Sequence, residues 1–232
     1  DRIAADGIVE ILNADNCSAM IEVNSETDFV AKNDTFIAFV KELLGIIINK
    51  RPADISALLA CDFNGTTVEE KIKELIFTIG EKLEIRRFVV VDGITSTYIH
   101  GKGSIGVIVK FEADEKALSN EGFAEFAKNI ALQVAAYPVS YLNKESVPAS
   151  VIEEEKSILL SQISNDPANE NKPDAIKEKM VLGRISKFYD NHCLLEQLYV
   201  KDDSVKVSKY VENEAKRMGG SIKVTAFYRF EK

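Results

Sequence analysis

Six residues carry the glycine spacing of a dinucleotide site: Gly101-Lys102-Gly103-Ser104-Ile105-Gly106 reads G-x-G-x-x-G. In such a site a strand precedes the glycines and a helix N-terminus follows, so that backbone amides meet the pyrophosphate. Here the following residues are Val107-Ile108-Val109-Lys110-Phe111, a β-branched run that suits a strand. The expected structure is therefore a glycine-rich hairpin turn, and no nicotinamide, flavin or other cofactor is expected. His100 and His192 are the only histidines, and the three cysteines, Cys17, Cys61 and Cys193, are scattered. His192 beside Cys193 makes no nucleophile pair if the segment is extended, because adjacent side chains then point apart. Neither a catalytic residue nor a metal-ligand set is expected. Glu153-Glu154-Glu155 suits the first turn of a helix, where negative charge favours the dipole. Glu26 and Asp28 are too close in sequence to announce an acid/base pair.

One segment resists a purely structural reading: Ser25–Asn33, SETDFVAKN. A strand ends before it, and Thr27 or Asp28 caps a turn that leads into a helix. Two readings of Phe29 stand. It tucks under the helix into the core, which is the commoner fate of such a residue, or it is exposed at a loop tip as a binding side chain.

The composition bounds the partners. The chain has 232 residues, 46% hydrophobic and 28% charged, enough apolar material for one large domain or two small ones. A net charge of −8 with no basic run argues against direct nucleic-acid binding. The odd, dispersed cysteines fit a reducing compartment, so a cytoplasmic location is expected. The richest apolar stretch, Leu43–Ile48, is too short to cross a membrane. No signal peptide is read, and a start at Asp1 suits a mature product, a fragment or an excised core.

The elements that would position Ser25–Asn33 form a doubled pattern. Ile8–Asn13 and Ala19–Val23 read as strands around a turn at Ala14–Ser18, followed by a helix over Asp34–Ile48. Thr97–His100 and Ile105–Phe111 read as a second pair, followed by a helix over Asn120–Ala136. A shift of 87 positions, counted along the sequence, places Phe36 on Phe123, Phe39 on Phe126, Lys41 on Lys128 and Ile21 on Ile108. Each half also closes alike. A helix over Val68–Ile79 reaches Gly80 and the strand Ile85–Val91, and a helix over Ser204–Met218 reaches Gly219-Gly220 and the strand Ile222–Phe230. Val151–Ser164 and Asp174–Asp190 read as an inserted antiparallel helical hairpin, with Ile158, Leu159 and Ile163 facing Ile176, Met180, Ile185 and Phe188. Whether the hairpin projects or packs flat stays open. The expectation is an α+β fold of two related subdomains, each a small, mostly antiparallel sheet covered by helices, plus the inserted hairpin. Residues 1–7 are read as a linker, 8–92 as the first subdomain and 93–232 as the second, with the hairpin at about 150–190.

SETDFVAKN resembles the signature N-x-[QE]-T-D-F-V-A-[KR] of the translation elongation factor Ts family, matched from Asn24 to Lys32 with Ser25 where cysteine is frequent. Further segments resemble the family in order: Ala4–Gly7, Gly80-Glu81-Lys82 with Ile85-Arg86-Arg87, Tyr98–Gly101 with Ile105–Val107, Gly183-Arg184-Ile185, Cys193–Gln197 and Val224–Glu231. The resemblance implies a non-catalytic guanine-nucleotide exchange factor that binds elongation factor Tu, both GDP-bound and nucleotide-free, and promotes GDP release. It implies a partner-binding set of Thr27, Asp28, Phe29 and Val30, with Phe29 as a wedge that disturbs the magnesium and phosphate environment. Ile105, Gly106 and Gln133 would make a second contact, although Gln133 stands where the family often has histidine. It leaves room for a dimer in that complex. Members usually begin with a small three-helix domain, which would be expected ahead of Asp1. A small-molecule enzyme on an α+β scaffold and an interaction module without exchange activity remain as rival readings.

Overall fold

The computed structural model describes residues 3–232, so the start of the expected linker, Asp1 and Arg2, lies outside the described residues. By internal contacts the chain forms two compact units, one comprising the chain up to Ala136 with Ser221–Lys232, the other Tyr137–Gly220. The architecture is α+β, as expected.

The first unit begins with an antiparallel hairpin of β1 (Asp6–Ala14) and β2 (Cys17–Ser25). Its turn is tighter than expected: Ala14 pairs with Cys17, and only Asp15 and Asn16 lie between them. A one-turn helix α1 (Asp28–Ala31), α2 (Asp34–Lys50) and α3 (Ile55–Leu59) follow. A short hairpin of β3 (Asp62–Phe63) and β4 (Thr66–Thr67) leads to α4 (Val68–Ile79) and β5 (Glu84–Asp92). Then come β6 (Ile94–His100), β7 (Ile105–Ala113), α5 (Glu115–Leu118) and α6 (Phe123–Ala136). The last strand, β10 (Ile222–Glu231), returns to this unit from the second.

Local chemistry explains these bounds. The Asn33 side chain accepts the Thr35 and Phe36 amides and starts α2, which stops at Arg51 in the left-handed region just before Pro52. Thr67 and Glu70 form a reciprocal capping box at the start of α4, and Gly80, with φ +81°, ends it. The helix expected from Asn120 starts only at Phe123, because the Asn120 side chain accepts the Gly122 amide at 2.9 Å and holds a turn there.

Two three-stranded antiparallel sheets result, ordered β1-β2-β5 and β10-β7-β6. In each, a hairpin is joined by a strand that follows later helices and lies beside the hairpin's second member. This shared order is the doubled pattern seen in the sequence. Alternate residues of the first sheet point two ways. Ile8, Ala19, Ile21, Val23 and Ile85 pack with Phe36, Val40, Leu43 and Ile47 of α2 and with Ile72 and Leu75 of α4. Val9, Met20 and Val91 face the other way and pack on Ile108 and Phe230 of the second sheet.

The sheets approach closely where glycine removes a side chain. A Cβ on Gly106 would lie 2.4 Å from Val9 Cγ1, and one on Gly103 would lie 2.5 Å from Ile8 Cγ1. Gly103 also has φ +100°, and its carbonyl accepts the Val9 amide at 2.8 Å. Thus the G-x-G-x-x-G segment is the turn between β6 and β7, with glycines that admit a neighbouring sheet rather than a pyrophosphate.

Glu22, wholly buried in the central strand β2, is the polar counterpart of that contact. Its carboxylate meets Arg86 at 3.2 Å and Arg87 at 2.6 Å. Adjacent strand residues normally point to opposite faces, but the β2–β5 register slips by one residue between Glu22 and Val23, skipping Arg86. That bulge lets both guanidinium groups reach one carboxylate. Arg87 also lies 4.3 Å from the centre of the Phe230 ring and donates to the Glu231 carbonyl at 3.2 Å.

The second unit holds α7 (Ala149–Asn165) and α8 (Asp174–His192), which pack as a helical hairpin around Ile152, Leu159, Ile163, Val181 and Ile185. Ile158 and Ile176, expected inside, are exposed, because the inward stripe of α7 runs through residues 152, 159 and 163 and that of α8 through 181 and 185. A small hairpin of β8 (Leu198–Tyr199) and β9 (Asp202–Lys206) precedes α9 (Val207–Met218). The helix expected from Ser204 therefore starts three residues later: the Asp202 side chain takes the Ser204 amide and hydroxyl at 3.1 and 2.6 Å and holds the chain in a turn.

The buried charges of the paired sheets can be tested by their effect on stability. Arg87→Met leaves the buried carboxylate with Arg86 as its one remaining arginine and should cost about 3 kcal/mol in urea unfolding. Adding Glu22→Gln should recover part of that loss; a strictly additive double variant would contradict the pairing. Burial holds the Glu10 carboxyl above its ordinary range, only partly offset by Lys41. A raised folded pKa contributes stability below the unfolded value, which is lost as pH rises through the folded one. Glu10→Gln should accordingly raise the urea midpoint at pH 7 and give no gain at pH 3.

Candidate functional site

The segment Ser25–Asn33 leaves the end of β2 and makes the single turn α1 before α2 begins. Val30 and Ala31 are buried, Val30 within the apolar cluster beneath α2. With those two taking the inward sector of one helical turn, the preceding residues are directed outward. Phe29 is 81% exposed, and Asp28 pairs with Lys32 at 2.6 Å across one turn. That carboxylate also holds the Lys32 ammonium above its ordinary pKa. Of the two readings of Phe29, the structure selects the exposed one.

The turn is held by residues distant in sequence. The Thr27 amide and hydroxyl both donate to the Glu81 carboxylate, at 3.1 and 2.7 Å. The Glu26 carboxylate in return accepts the Lys82 amide at 2.7 Å. The Ser25 hydroxyl donates to the Thr27 carbonyl at 2.9 Å. Glu81 and Lys82 stand outside the site set expected from the sequence, because only the folded chain brings them to Thr27 and Glu26. Phe77, in the last turn of α4, is 90% exposed.

The second group of expected contact residues lies at the start of β7 and on α6. Ile105 is half-buried, whereas Gly106 and Gln133 are buried, Gly106 against Val9 and Met20. Val30, Gly106 and Gln133 thus keep their positions inside the fold, and the outward-facing members of the expected set are exposed Phe29 and half-buried Thr27, Asp28 and Ile105.

A short relay brings the two groups to one end of the paired sheets. Ser25 pairs with Asp6 across the β1–β2 ladder. The Asp6 carboxylate binds the Lys232 ammonium, which holds that carboxyl below its ordinary pKa. The Lys232 amide donates to the Ser104 carbonyl at 3.1 Å, next to Ile105.

The residues that suggest covalent or metal chemistry are not brought together. Cys193 is buried among the hairpin's apolar side chains, and burial pushes its thiol pKa up. The His192 ring lies 4.3 Å from that of Phe188, and His100 Nδ1 is 3.1 Å from the Tyr98 hydroxyl. Among the described residues no group of three or more His, Cys, Asp and Glu side chains is placed to hold a metal ion. No described helix is long and apolar enough to cross a membrane.

A family model described as elongation factor TS matches residues 26–232. The elongation factor Ts of Syntrophotalea carbinolica is 41% identical over 236 residues, covering 100% of this chain and 76% of that protein. Those of Magnetococcus marinus and Clostridioides difficile are 40% and 42% identical over 235 residues each, covering 99% of this chain and 75% of each relative. The chain belongs to the elongation factor Ts family, a family of translation elongation factors.

Because Phe29 makes little contact with its own fold, Phe29→Ala should change the folding free energy by no more than about 0.5 kcal/mol. A loss of about 2 kcal/mol or more in chemical denaturation would mean that Phe29 is part of the core.

Proposed function

From membership of the elongation factor Ts family, we propose that this chain is a guanine-nucleotide exchange factor that binds elongation factor Tu and promotes release of its GDP. The observation that carries this reading is a large aromatic side chain, Phe29, held 81% exposed on a turn that is anchored by buried Val30 and Ala31. Side chains of this kind, on rigid supports, are the usual anchors of protein interfaces. Asp28 would lie beside Phe29 in the contact, with Thr27 and Val30 shaping the turn from within. Ile105 would form the second contact, on a backbone set by buried Gly106, while Gln133 is buried on α6.

Exchange asks no covalent step of the chain. It asks for differential binding: a factor that holds the empty partner more tightly than the GDP-bound one weakens GDP by the same ratio. A wedge suits this, because it fills a pocket that opens only in the distorted, nucleotide-free partner. Both states of the partner are therefore bound, the empty one more tightly. The role fits a location in the cytoplasm and needs no contact with nucleic acid; a dimer in the complex is compatible with it.

The test is release of fluorescent GDP from purified elongation factor Tu, with and without this chain. Wild type should accelerate release, and Phe29→Ala should weaken the complex by about 2 kcal/mol or more, the range for aromatic anchors. That is roughly a thirtyfold change in affinity. Unaltered release by Phe29→Ala would remove Phe29 from the mechanism, and no acceleration by wild type would remove the function.

A further inference from the structure

A helix of one turn has no stability of its own, so the direction in which Phe29 leaves the surface is set by what holds that turn. We propose that Glu81 is a positioning residue for Phe29: its carboxylate, by taking both the amide and the hydroxyl of Thr27, fixes the turn that presents the wedge. The proposal rests on the reading of Phe29 as a partner-binding side chain and adds a residue through which that side chain is aimed.

The geometry of α1 calls for such a support. Thr27 occupies the N-cap of α1, where a hydroxyl ordinarily accepts an amide of the first turn. Here it makes no cap bond and donates to Glu81 at 2.7 Å instead. The turn has thus exchanged a local cap for a tertiary one, made to a residue 54 positions away. The link is reciprocal, because Glu26 takes the Lys82 amide at 2.7 Å. Each segment supplies a carboxylate and a backbone donor to the other.

The other side of this clasp is well anchored. Glu81 follows Gly80, whose left-handed conformation ends α4 and whose amide donates to the Ile76 carbonyl at 2.8 Å. The helix itself is fixed at its start by the Thr67–Glu70 capping box and along its length by buried Val68, Ile72 and Leu75. Glu81 therefore carries the rigidity of the core to Thr27, two residues before Phe29. Without the clasp Phe29 remains exposed but samples several directions. The apparent dissociation constant then rises as the inverse of the binding-competent fraction, while a complex once formed still contains the wedge.

This separates Glu81 from Phe29 in a titration of fluorescent-GDP release against factor concentration. Glu81→Ala should raise the half-saturating concentration roughly tenfold or more and leave the release rate at saturation within about twofold. Phe29→Ala should lower the rate at saturation itself. Glu81→Gln, which keeps one accepting oxygen, should fall between wild type and Glu81→Ala. Thr27→Val, which removes the hydroxyl from the other side of the clasp, should shift the half-saturating concentration in the same direction as Glu81→Ala. In a Phe29→Ala background, adding Glu81→Ala should have little further effect. Unchanged half-saturation in both Glu81→Ala and Thr27→Val, with Phe29→Ala impaired, would overturn the positioning role and leave the exchange reading standing. Full additivity of the Glu81 and Phe29 changes would also overturn it. If Phe29→Ala matches wild type throughout, the reading beneath the proposal fails instead.

Discussion

The close contact between the two three-stranded sheets is the constraint on which the first unit depends. Strand β2 is buried along its whole length, with α2 and α4 on one face and the second sheet on the other. A strand buried on both sides has no solvent for a charged residue, yet Glu22 lies in its middle. An unpaired carboxylate there would be far costlier than any single apolar contact is favourable. Two arginines from β5 therefore converge on it, and the bulge that brings them both is the backbone consequence. Arg87 then reaches across to Phe230 and Glu231, so the group that neutralises Glu22 also fastens one sheet to the other.

The same contact sets where the residues proposed to face a partner emerge. Gly103 and Gly106 allow the β6–β7 turn to lie against β1, and Ile105 is held between them. At that end the Ser25–Asp6 pairing, the Asp6–Lys232 ion pair and the Lys232–Ser104 hydrogen bond join the end of β2 to the start of β7. Phe29 and Ile105, 76 positions apart by their numbering, are therefore placed by one assembly rather than by two independent loops. A change deep in the sheet contact would shift both.

Much of this was legible in the sequence, because it is written in local signals. The end of α4 follows from a glycine at position 80, and the β6–β7 hairpin follows from its glycine turn. The α+β class and the doubled hairpin–helix–strand order follow from periodicity and spacing. The rest depends on side chains meeting over long separations. The starts of α6 and α9 were misplaced because Asn120 and Asp202 take nearby amides and hold turns that helix propensity does not show. Ile158 and Ile176 each fit an apolar stripe on paper, and only the packing of α7 on α8 chooses residues 152, 159 and 163 instead. At the site, the pattern around Phe29 favoured a buried ring. Its exposure follows from Val30 and Ala31 occupying the inward sector, and from Glu81 holding Thr27, neither of which a local window contains.

Magnitudes explain why an exposed phenylalanine needs so much surrounding order. Burying such a side chain is worth about 1.5–3 kcal/mol, and here that gain is withheld from the fold and, on the proposed reading, left for a partner. Ordering backbone costs about 1–2 kcal/mol for each residue, so fixing the four residues of α1 at the moment of binding would cancel more than Phe29 could contribute. The turn must consequently be ordered beforehand, with the entropy lost on folding rather than on association. Buried Val30 and Ala31 supply the attachment and the Glu26–Lys82 and Thr27–Glu81 bonds supply direction. An aromatic side chain so held can direct its whole burial energy to a partner, which is what the proposed role of a wedge competing with a bound nucleotide would require.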